Sequence, residues 1–282
     1  MPNTAADTSL IPILIAAAED LEPAEKRFLT DELAMRMLPA GLRPLVRLPA
    51  GRRLLRAVMN REGVGAWESL ACRKRYFDDR TVAAIAEGIE AVVVLGAGLD
   101  TKALRLAAPA GIPAFEVDLP INIAQKRKRI PLPDSVTQVP IDFETDDLAT
   151  VLIEHGYRFD ARTLFLWEGV TQYLTEPAVR ATLSVLGKAA TGSELIFSYV
   201  RQDFLDGTNL QGCAPTYRRF VARQPLWHFG LQPDQVSALL ADYGWHEIEQ
   251  AGGPEHTASY LTPIGREIRV PDLERCVSAR KS

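Results

Sequence analysis

The chain contains 282 residues, of which 47% are hydrophobic and 24% are charged; its formal net charge is −4 and its isoelectric point lies near 5.7. This composition is typical of a folded globular protein and excludes a chain that stays disordered for lack of apolar residues. The acidic balance excludes a broadly basic nucleic-acid-binding protein, and the local basic run at residues 126–129 fits a solvated helix face.

The first part of the chain has the pattern of several helices. Residues 9–90 are rich in Ala, Leu and Arg with apolar residues at helical spacing, and Pro39, Pro44 and Pro49 interrupt them. The apolar patch near the start lacks a basic segment before it and is far shorter than a membrane span. We therefore expect no targeting segment and no membrane partner.

The cysteine pattern favours a reducing compartment. The three cysteines, Cys72, Cys213 and Cys276, are odd in number and widely separated, so they suit neither a disulfide framework nor a set of zinc ligands. We therefore expect a cytoplasmic protein that holds no metal ion.

From residue 91 onward the pattern changes to that of a parallel sheet. Short apolar runs alternate with helix-length segments, which is typical of strands that are buried on both faces. The predicted strands are 91–95, 113–118, 136–142, 163–168 and 194–200, and the predicted helices are 101–107, 120–129, 145–155 and 176–190. The sequence thus predicts an α/β fold with a doubly wound, mostly parallel sheet.

The last third of the chain is predicted to complete this sheet. Residues 201–229 are aromatic-bearing and too long for a plain connection, which suggests an inserted lid. A helix is predicted at 233–244, and closing strands at 245–252 and 274–281 bring the sheet to seven strands. We expect one domain with a helical cap at 1–90, a cofactor-binding core at 91–200, a lid insertion at 201–232 and a closing region at 233–282.

Two glycines mark the turn after the first strand. Gly96 and Gly98 in LGAGLDT lie where the strand gives way to a helix, and glycine lets backbone N–H groups approach a ligand. A dinucleotide fingerprint needs a third glycine, but that position is Thr101. An empty, tight strand-to-helix turn would show the same pair of glycines.

Acidic residues follow the next three strands. Asp118 lies about 20 residues beyond the glycines, where a ribose would bind. Asp142 and Phe143 could bind an exocyclic amine and flank a purine ring, and Glu168 would suit a cationic amino group. The alternatives are helix-start roles for the two aspartates and a surface ion pair for the glutamate. Because no phosphate-binding sequence accompanies these acids, they favour S-adenosylmethionine, a nucleoside with a cationic tail.

The motifs LGAGLDT, FEVDLP and WEGVTQYLT, in this order, resemble the leucine carboxyl methyltransferase family of class I S-adenosylmethionine-dependent methyltransferases. Its bacterial branch includes polyketide O-methyltransferases similar to the tetracenomycin enzyme. The resemblance extends over about residues 70–282. It implies a Rossmann-like fold, with Gly96 and Gly98 at the methionine end of the cofactor, Asp118 at the ribose, Asp142 and Phe143 at the adenine and Glu168 at the amino group.

The segment ACRKRYFDD resembles the family's R-x-R-[FY]-F-D stretch. This resemblance implies that an arginine binds the cofactor carboxylate through a charge-assisted contact. Arg73 is our choice and Arg75 is the competing residue, while a solvated basic turn without a ligand is the remaining alternative. Before residue 70 the resemblance weakens, because FLTDELAMRM lacks the Pro and Tyr of the family's D-P-Y-A stretch.

The predicted function is methyl transfer to a carboxylate or hydroxyl of a small molecule, as in natural-product metabolism. Tyr173 is a candidate wall of the methyl pocket, with packing as an ordinary core aromatic as the alternative. His228 in the lid is the histidine that we select as a candidate base. No histidine dyad is evident, which favours an already ionised carboxylate acceptor. The alternatives are a protein C-terminus as acceptor, an NAD(P)-dependent oxidoreductase and a cofactor-binding protein without turnover.

Overall fold

The structure is a computed structural model that describes residues 9–223 and 225–282. Residues 1–8 of the predicted cap and residue 224 of the predicted lid lie outside the described residues. The helices before the sheet are α1 (Leu10–Glu19), α2 (Ala34–Met37), α3 (Arg43–Arg47), α4 (Pro49–Met59) and α5 (Ala66–Ala86). Pro44 and Pro49 lie in the first turns of α3 and α4, where proline's missing N–H costs no hydrogen bond.

The sheet is mostly parallel, as the sequence predicts. Its strands are β1 (Ala91–Leu95), β2 (Ala114–Asp118), β3 (Val136–Pro140), β4 (Thr163–Trp167), β5 (Glu194–Arg201), β6 (Gly230–Leu231), β7 (Trp245–Ala251) and β8 (Glu274–Lys281). The order is β3-β2-β1-β4-β5-β8-β7, with β6 paired to β5 off this path. Only β8 runs antiparallel to its neighbours, β5 and β7. The prediction of a doubly wound α/β fold is confirmed.

Helices cover both faces of this sheet. After β1 come helical turns at Ala103–Ala107 and Ala108–Ala110, and the later helices are α6 (Pro120–Arg127), α7 (Leu148–Glu154), α8 (Glu176–Leu186), α9 (Gln202–Leu205), α10 (Ala214–Tyr217), α11 (Val236–Ala241) and α12 (Gly253–His256). A further helical turn at Arg218–Arg223 continues α10. Apolar side chains of β1, β2, β4 and β5 fill separate cores on the two faces, which is why these strands read as continuous apolar runs.

Three details differ from the sequence-based expectations. The predicted lid, 201–232, contains β6, a strand of only two residues that is too short to give a sequence pattern. Residues 253–273, for which no element is predicted from the sequence, include α12. Lys126 of the basic run is buried rather than solvated, because its Nζ lies 2.6 Å from Oε1 of buried Glu116.

Among residues 9–223 and 225–282, no helix combines the length and apolar character that crossing a bilayer requires.

A buried histidine beneath the sheet gives the fold a pH dependence. His256 of α12 is buried, with its ring stacked on Tyr260 and its Nε2 3.7 Å from Sγ of Cys276. Burial disfavours the charged imidazolium and lowers the pKa of His256 to about 4. The unfolded chain therefore takes up a proton near pH 6.5 that the folded chain resists, so stability falls as the pH drops below that value.

We expect His256→Asn to flatten this dependence. Between about pH 7.5 and pH 5, the free energy of unfolding of the wild-type protein should fall by about 1–2 kcal/mol more than that of the variant. Urea unfolding at the two pH values measures the difference. Equal losses in the two proteins would show that His256 is not held neutral in the folded state.

Candidate active site

A cavity of about 590 Å³ opens at the carboxyl edge of the parallel strands. Because β2, β1 and β4 are neighbours in the sheet, the segments that leave them meet at this edge, where the strand order reverses. The structure brings all of the predicted cofactor-binding residues to the wall of this cavity, namely Arg73, Gly96, Gly98, Asp118, Asp142, Phe143 and Glu168.

The glycine turn after β1 has a backbone that only glycine adopts readily. Gly96 and Gly98 have φ values of 69° and 46°. A Cβ atom at Gly98 would lie 3.0 Å from the Cβ of Ser9, just before α1, and one at Gly96 would collide with Val170. The turn is therefore packed between the start of α1 and the loop after β4, with no room for a side chain.

Asp118 braces this turn. One of its carboxylate oxygens accepts a hydrogen bond from the Gly98 N–H, and the other accepts from the N–H of Leu119 (2.7 Å) and from Asn122 Nδ2 (2.6 Å). Asp118 thus lines the cavity and also contacts the first turn of α6. The sequence alone leaves these two roles, ligand binding and helix capping, as alternatives. Burial raises the pKa of Asp118.

Arg73 lies in the middle of α5, and its side chain forms part of the cavity wall. Its Nε donates to Glu168 (3.1 Å) and its Nη1 donates to both carboxylate oxygens of Glu274 (2.8 and 2.7 Å). Gly169 permits this arrangement, because a Cβ there would lie only 3.0 Å from the guanidinium group. Arg75 is directed elsewhere, since it pairs with Asp79 on the half-exposed side of the helix. Of the two arginines, the structure brings only Arg73 to the cavity.

A group of charged residues that the sequence analysis missed surrounds Glu168. Lys102 Nζ lies 2.5 Å from Glu168 and 2.7 Å from Asp100, and Lys74 Nζ lies 3.0 Å from Asp100. Burial would raise the pKa of Glu168, but the neighbouring cations outweigh it and lower that pKa to about 2. Glu168 is therefore a fully ionised carboxylate inside a buried ion-pair network, rather than the partner in a surface ion pair.

The side of the cavity after β3 is more open. Asp142 and Phe143 are half-buried there, and the Oδ1 of Asp142 accepts a hydrogen bond from the N–H of Glu144 (3.0 Å). Phe143 packs against the main apolar core. These two residues thus present a carboxylate and a ring beside the Asp118 wall.

The opposite part of the cavity is apolar and aromatic. Tyr173 packs edge-on against Trp227, with ring centroids 6.4 Å apart, and Phe220 stacks on Trp227 at 4.8 Å. Met59 of α4 and Leu70 of α5 also line the cavity. We call this part the acceptor chamber, defined by Met59, Leu70, Tyr173, Phe220 and Trp227.

The expectation that His228 faces the reaction needs correction. Its side chain is exposed, it is absent from the cavity wall, and its backbone N–H donates to the carbonyl of Gln172 (2.7 Å). The alternation that turns Trp227 inward turns the next side chain outward, so His228 contributes only its backbone.

Gln172 is a polar side chain in the chamber wall that the sequence analysis did not select. It is 3% exposed, and its Oε1 accepts no hydrogen bond from any described residue. A buried polar atom without a partner destabilises a fold unless a ligand or water binds it. Gln172 is therefore a candidate for contact with a bound molecule.

We expect Gln172→Leu to raise the free energy of unfolding by about 1 kcal/mol, because it removes an unsatisfied buried oxygen. Gln138→Leu is the matched control. Gln138 is equally buried, but it accepts from Arg127 Nε (2.5 Å), so its loss should lower stability. Urea unfolding of both variants measures the contrast. Equal destabilisation would mean that Gln172 is satisfied in the folded protein.

Comparisons with known proteins identify relatives of this chain. A family model described as leucine carboxyl methyltransferase matches residues 9–187, more than half of the chain. A protein of Parafrankia sp. (strain EAN1pec), assigned as an S-adenosyl-L-methionine-dependent methyltransferase, is 33% identical over 252 residues, covering 86% of this chain and 77% of that protein. A protein of Mycobacterium ulcerans (strain Agy99) with the same assignment is 30% identical over 269 residues, covering 85% and 83%.

Two solved structures share the fold. One is assigned as a methyltransferase of Thermobifida fusca, with a TM-score of 0.57, and the other is a protein of Streptomyces avermitilis, with a TM-score of 0.60. Each is 16% identical to this chain and covers 83% of it, and the chain covers 89% and 91% of their lengths. At this identity the likeness concerns the architecture of the sheet and its helices.

Proposed function

Because the chain belongs to the leucine carboxyl methyltransferase family and is an S-adenosylmethionine-dependent methyltransferase, we propose that it is an O-methyltransferase that acts on a carboxylate or hydroxyl group of a small molecule in natural-product metabolism. The observation that carries the proposal is the acceptor chamber, an apolar and aromatic space that is continuous with the charged end of the same cavity. A pocket of this kind suits a small organic molecule.

The residues at the charged end fit the cofactor. The glycine turn lines the cavity with backbone atoms that carry no side chain at Gly96 and Gly98, and Asp118 has the chemistry to bind a ribose. When bound, the cofactor supplies a methyl group on a sulfonium sulfur. We assign its amino group to Glu168, its carboxylate to Arg73 and its adenine to the wall formed by Asp142 and Phe143.

Charge balance supports this assignment of the amino-acid end. Arg73, Lys74 and Lys102 face Asp100, Glu168 and Glu274, so three cations oppose three carboxylates in this part of the wall. A zwitterion adds one charge of each sign and preserves that balance. A buried network of this kind holds its side chains in fixed positions before the ligand arrives.

The chamber's role is to hold the acceptor and exclude water. Methyl transfer depends chiefly on alignment, and positioning alone lowers a barrier by roughly 7–11 kcal/mol in well-oriented cases. Tyr173 stands between the charged end and the aromatic wall, since it follows Glu168 by five positions and packs on Trp227. We propose that Tyr173 aligns the acceptor by contact.

A carboxylate acceptor is favoured over a hydroxyl. Among the described residues no histidine lines the cavity, so the chain offers no imidazole to remove a proton from a phenol. A carboxylate is already ionised at neutral pH and needs no base. The unpartnered Oε1 of Gln172 accepts hydrogen bonds, so it would bind a donor group elsewhere on the acceptor rather than the carboxylate itself.

The decisive experiment is a methyl-transfer assay with cofactor carrying a radiolabelled methyl group. The acceptors are a panel of aromatic and aliphatic acids, each paired with its methyl ester, together with phenols paired with their methyl ethers. We expect label on free acids, released as methanol by mild alkali. Label on phenols alone would shift the acceptor to hydroxyl groups, and absence of label on every small molecule would overturn the proposal.

The family name makes a protein C-terminus the second candidate acceptor. A peptide with a free C-terminal carboxylate and its amidated form, added to the same assay, separates the two. Label that appears only on the free peptide would favour this second function.

A further inference from the structure

The outer surface of α4 is unusual for a protein with a net negative charge. Its outward-facing positions are Ala50, Arg53, Leu54, Ala57 and Val58, followed by Arg61 after the helix ends. Leu54 is 57% exposed and Val58 is 46% exposed. Four of the nine large exposed hydrophobic side chains among the described residues, Leu48, Leu54, Val58 and Val64, lie in this one stretch.

This surface carries an excess of positive charge, and the acidic residue within its stretch, Glu62, is paired with Arg219. There is no Asp or Glu between residues 33 and 61, whereas Arg53 and Arg61 are exposed and form no ion pair with any described residue. The arginines on the inner side of α4 are different, because Arg52 and Arg56 pair with Glu22 and Glu19 of the α1 region. The outer arginines are therefore not required to hold α4 in place.

A second basic segment lies beside this surface. Glu62 ties the two together, because its carboxylate lies 3.4 Å from Arg219 Nη1 and its carbonyl accepts from Thr216 Oγ1 (3.0 Å). The turn that carries Arg219 also exposes Arg218 and Arg223. We call the combined surface the basic rim, defined by Arg53, Leu54, Val58, Arg61, Val64, Arg218, Arg219 and Arg223.

The basic rim borders the entrance of the cavity. Val58 is exposed on the rim and also lines the cavity, and Arg219 does the same from the other side. Any surface that covers the rim would therefore lie directly over the route to the acceptor chamber.

We propose that the basic rim docks the protein on an anionic lipid bilayer. A helix with protruding apolar side chains between arginines has the chemistry of an interfacial helix, whose leucines and valines enter the headgroup region while its cations bind lipid phosphates. A second copy of this chain is a poor partner, because a symmetric contact would place arginine against arginine. The proposal revises the expectation of no membrane partner, since it concerns docking on the surface rather than crossing.

The position of the rim also bears on the acceptor. This inference about the acceptor rests on the proposed function, whereas the docking does not. A bilayer under the rim would deliver a lipid-soluble acid directly to the aromatic chamber, so we infer that the acceptor is amphiphilic, with an apolar body and a carboxylate.

Sedimentation with lipid vesicles tests the docking. The full chain is mixed with vesicles of phosphatidylglycerol and phosphatidylcholine in equal parts, with vesicles of phosphatidylcholine alone, and with the anionic vesicles in high salt. We expect binding to the anionic vesicles only, weakened by salt. Arg53→Gln should reduce the partition coefficient about fivefold, the usual effect of one basic residue near such a surface.

Leu54→Asp tests the apolar contribution, and Ile153→Asp is its control. Ile153 of α7 is 58% exposed, does not line the cavity, and belongs to the helix between β3 and β4 rather than to the segments that form the rim. We expect Leu54→Asp to abolish sedimentation and Ile153→Asp to leave it unchanged, while both variants keep their affinity for S-adenosylhomocysteine. Lack of binding to anionic vesicles, or equal losses in the two variants, would overturn the docking. Because cofactor affinity and methyl transfer are measured separately, failure of the docking is distinguishable from failure of the proposed function.

Discussion

Replacing Arg73 with methionine is expected to destabilise the protein by about 3–5 kcal/mol, the usual cost of removing one partner from a buried ion pair. Arg73 is 6% exposed and binds both Glu168 and Glu274, so the substitution leaves two buried carboxylates facing each other. The same variant should lose measurable affinity for S-adenosylhomocysteine. Urea unfolding and calorimetric titration measure the two effects.

Arg75→Met is the control, two positions along the same helix. Arg75 has a side chain 40% exposed, pairs with Asp79 across one helical turn and donates to the carbonyl of Phe28 (2.5 Å), so its loss should cost about 1–2 kcal/mol, clearly less than the loss of Arg73. Cofactor affinity should be unchanged. If the two variants were equally stable, the Arg73 network would not be formed in solution, and if Arg73→Met bound the ligand normally, the carboxylate assignment would be wrong.

Glu168→Gln is expected to weaken S-adenosylhomocysteine binding by about 1.5–3 kcal/mol, the range for hydrogen bonds to charged groups. The amide keeps the shape of the carboxylate but loses the charge that we assign to the amino group of the ligand. The remaining cations keep other partners, because Lys102 still contacts Asp100 and Arg73 still contacts Glu274. The substitution should therefore lower the affinity for S-adenosylhomocysteine much more than it lowers the stability of the fold.

The pH dependence provides a second test of Glu168. Its pKa of about 2 means that the carboxylate stays ionised throughout the range in which the protein is folded. Glu168 should therefore contribute no step near pH 4.5, where an ordinary glutamate titrates, and any step from Asp118, whose pKa is raised, should be equal in the wild-type protein and in Glu168→Gln. Glu176→Gln, an exposed residue paired with Arg180 on α8, is the matched control. If Glu168→Gln bound S-adenosylhomocysteine as tightly as Glu176→Gln does, Glu168 would not be part of the binding site.

The sheet and the acids at its edge could be predicted from sequence because their signals are local. A buried parallel strand is a continuous apolar run, and the residue that follows it must lie at the carboxyl edge. The first strand, 91–95, is found at the predicted bounds, and Asp118 and Glu168 line the same cavity. The family motifs added the choice of Arg73, which periodicity alone would have left as one charge among several on α5.

The rest of the site could not be predicted because it depends on contacts between distant segments. Glu274 reaches Arg73 only because β8 pairs with β5 in the antiparallel direction, and no sequence pattern specifies that pairing. Lys102 stands four residues after Gly98 and could have been considered with the glycine turn, yet its partner Glu168 is 66 positions away. The position of His228 was predicted wrongly because the sequence of a short loop does not show which of two successive side chains, Trp227 or His228, points into the cavity.

The pairing of β8 has a consequence for when this site comes into existence. Strands β1 to β5 carry the glycine turn and the acids, but the anchor of Arg73 arrives only when β8 inserts between β5 and β7. Pairings between such distant segments are slow to form because a long loop must close first. Ligand binding should therefore report on the closed sheet, and bound ligand should slow the hydrogen–deuterium exchange of β8 amides, far along the chain from the residues that hold the nucleoside.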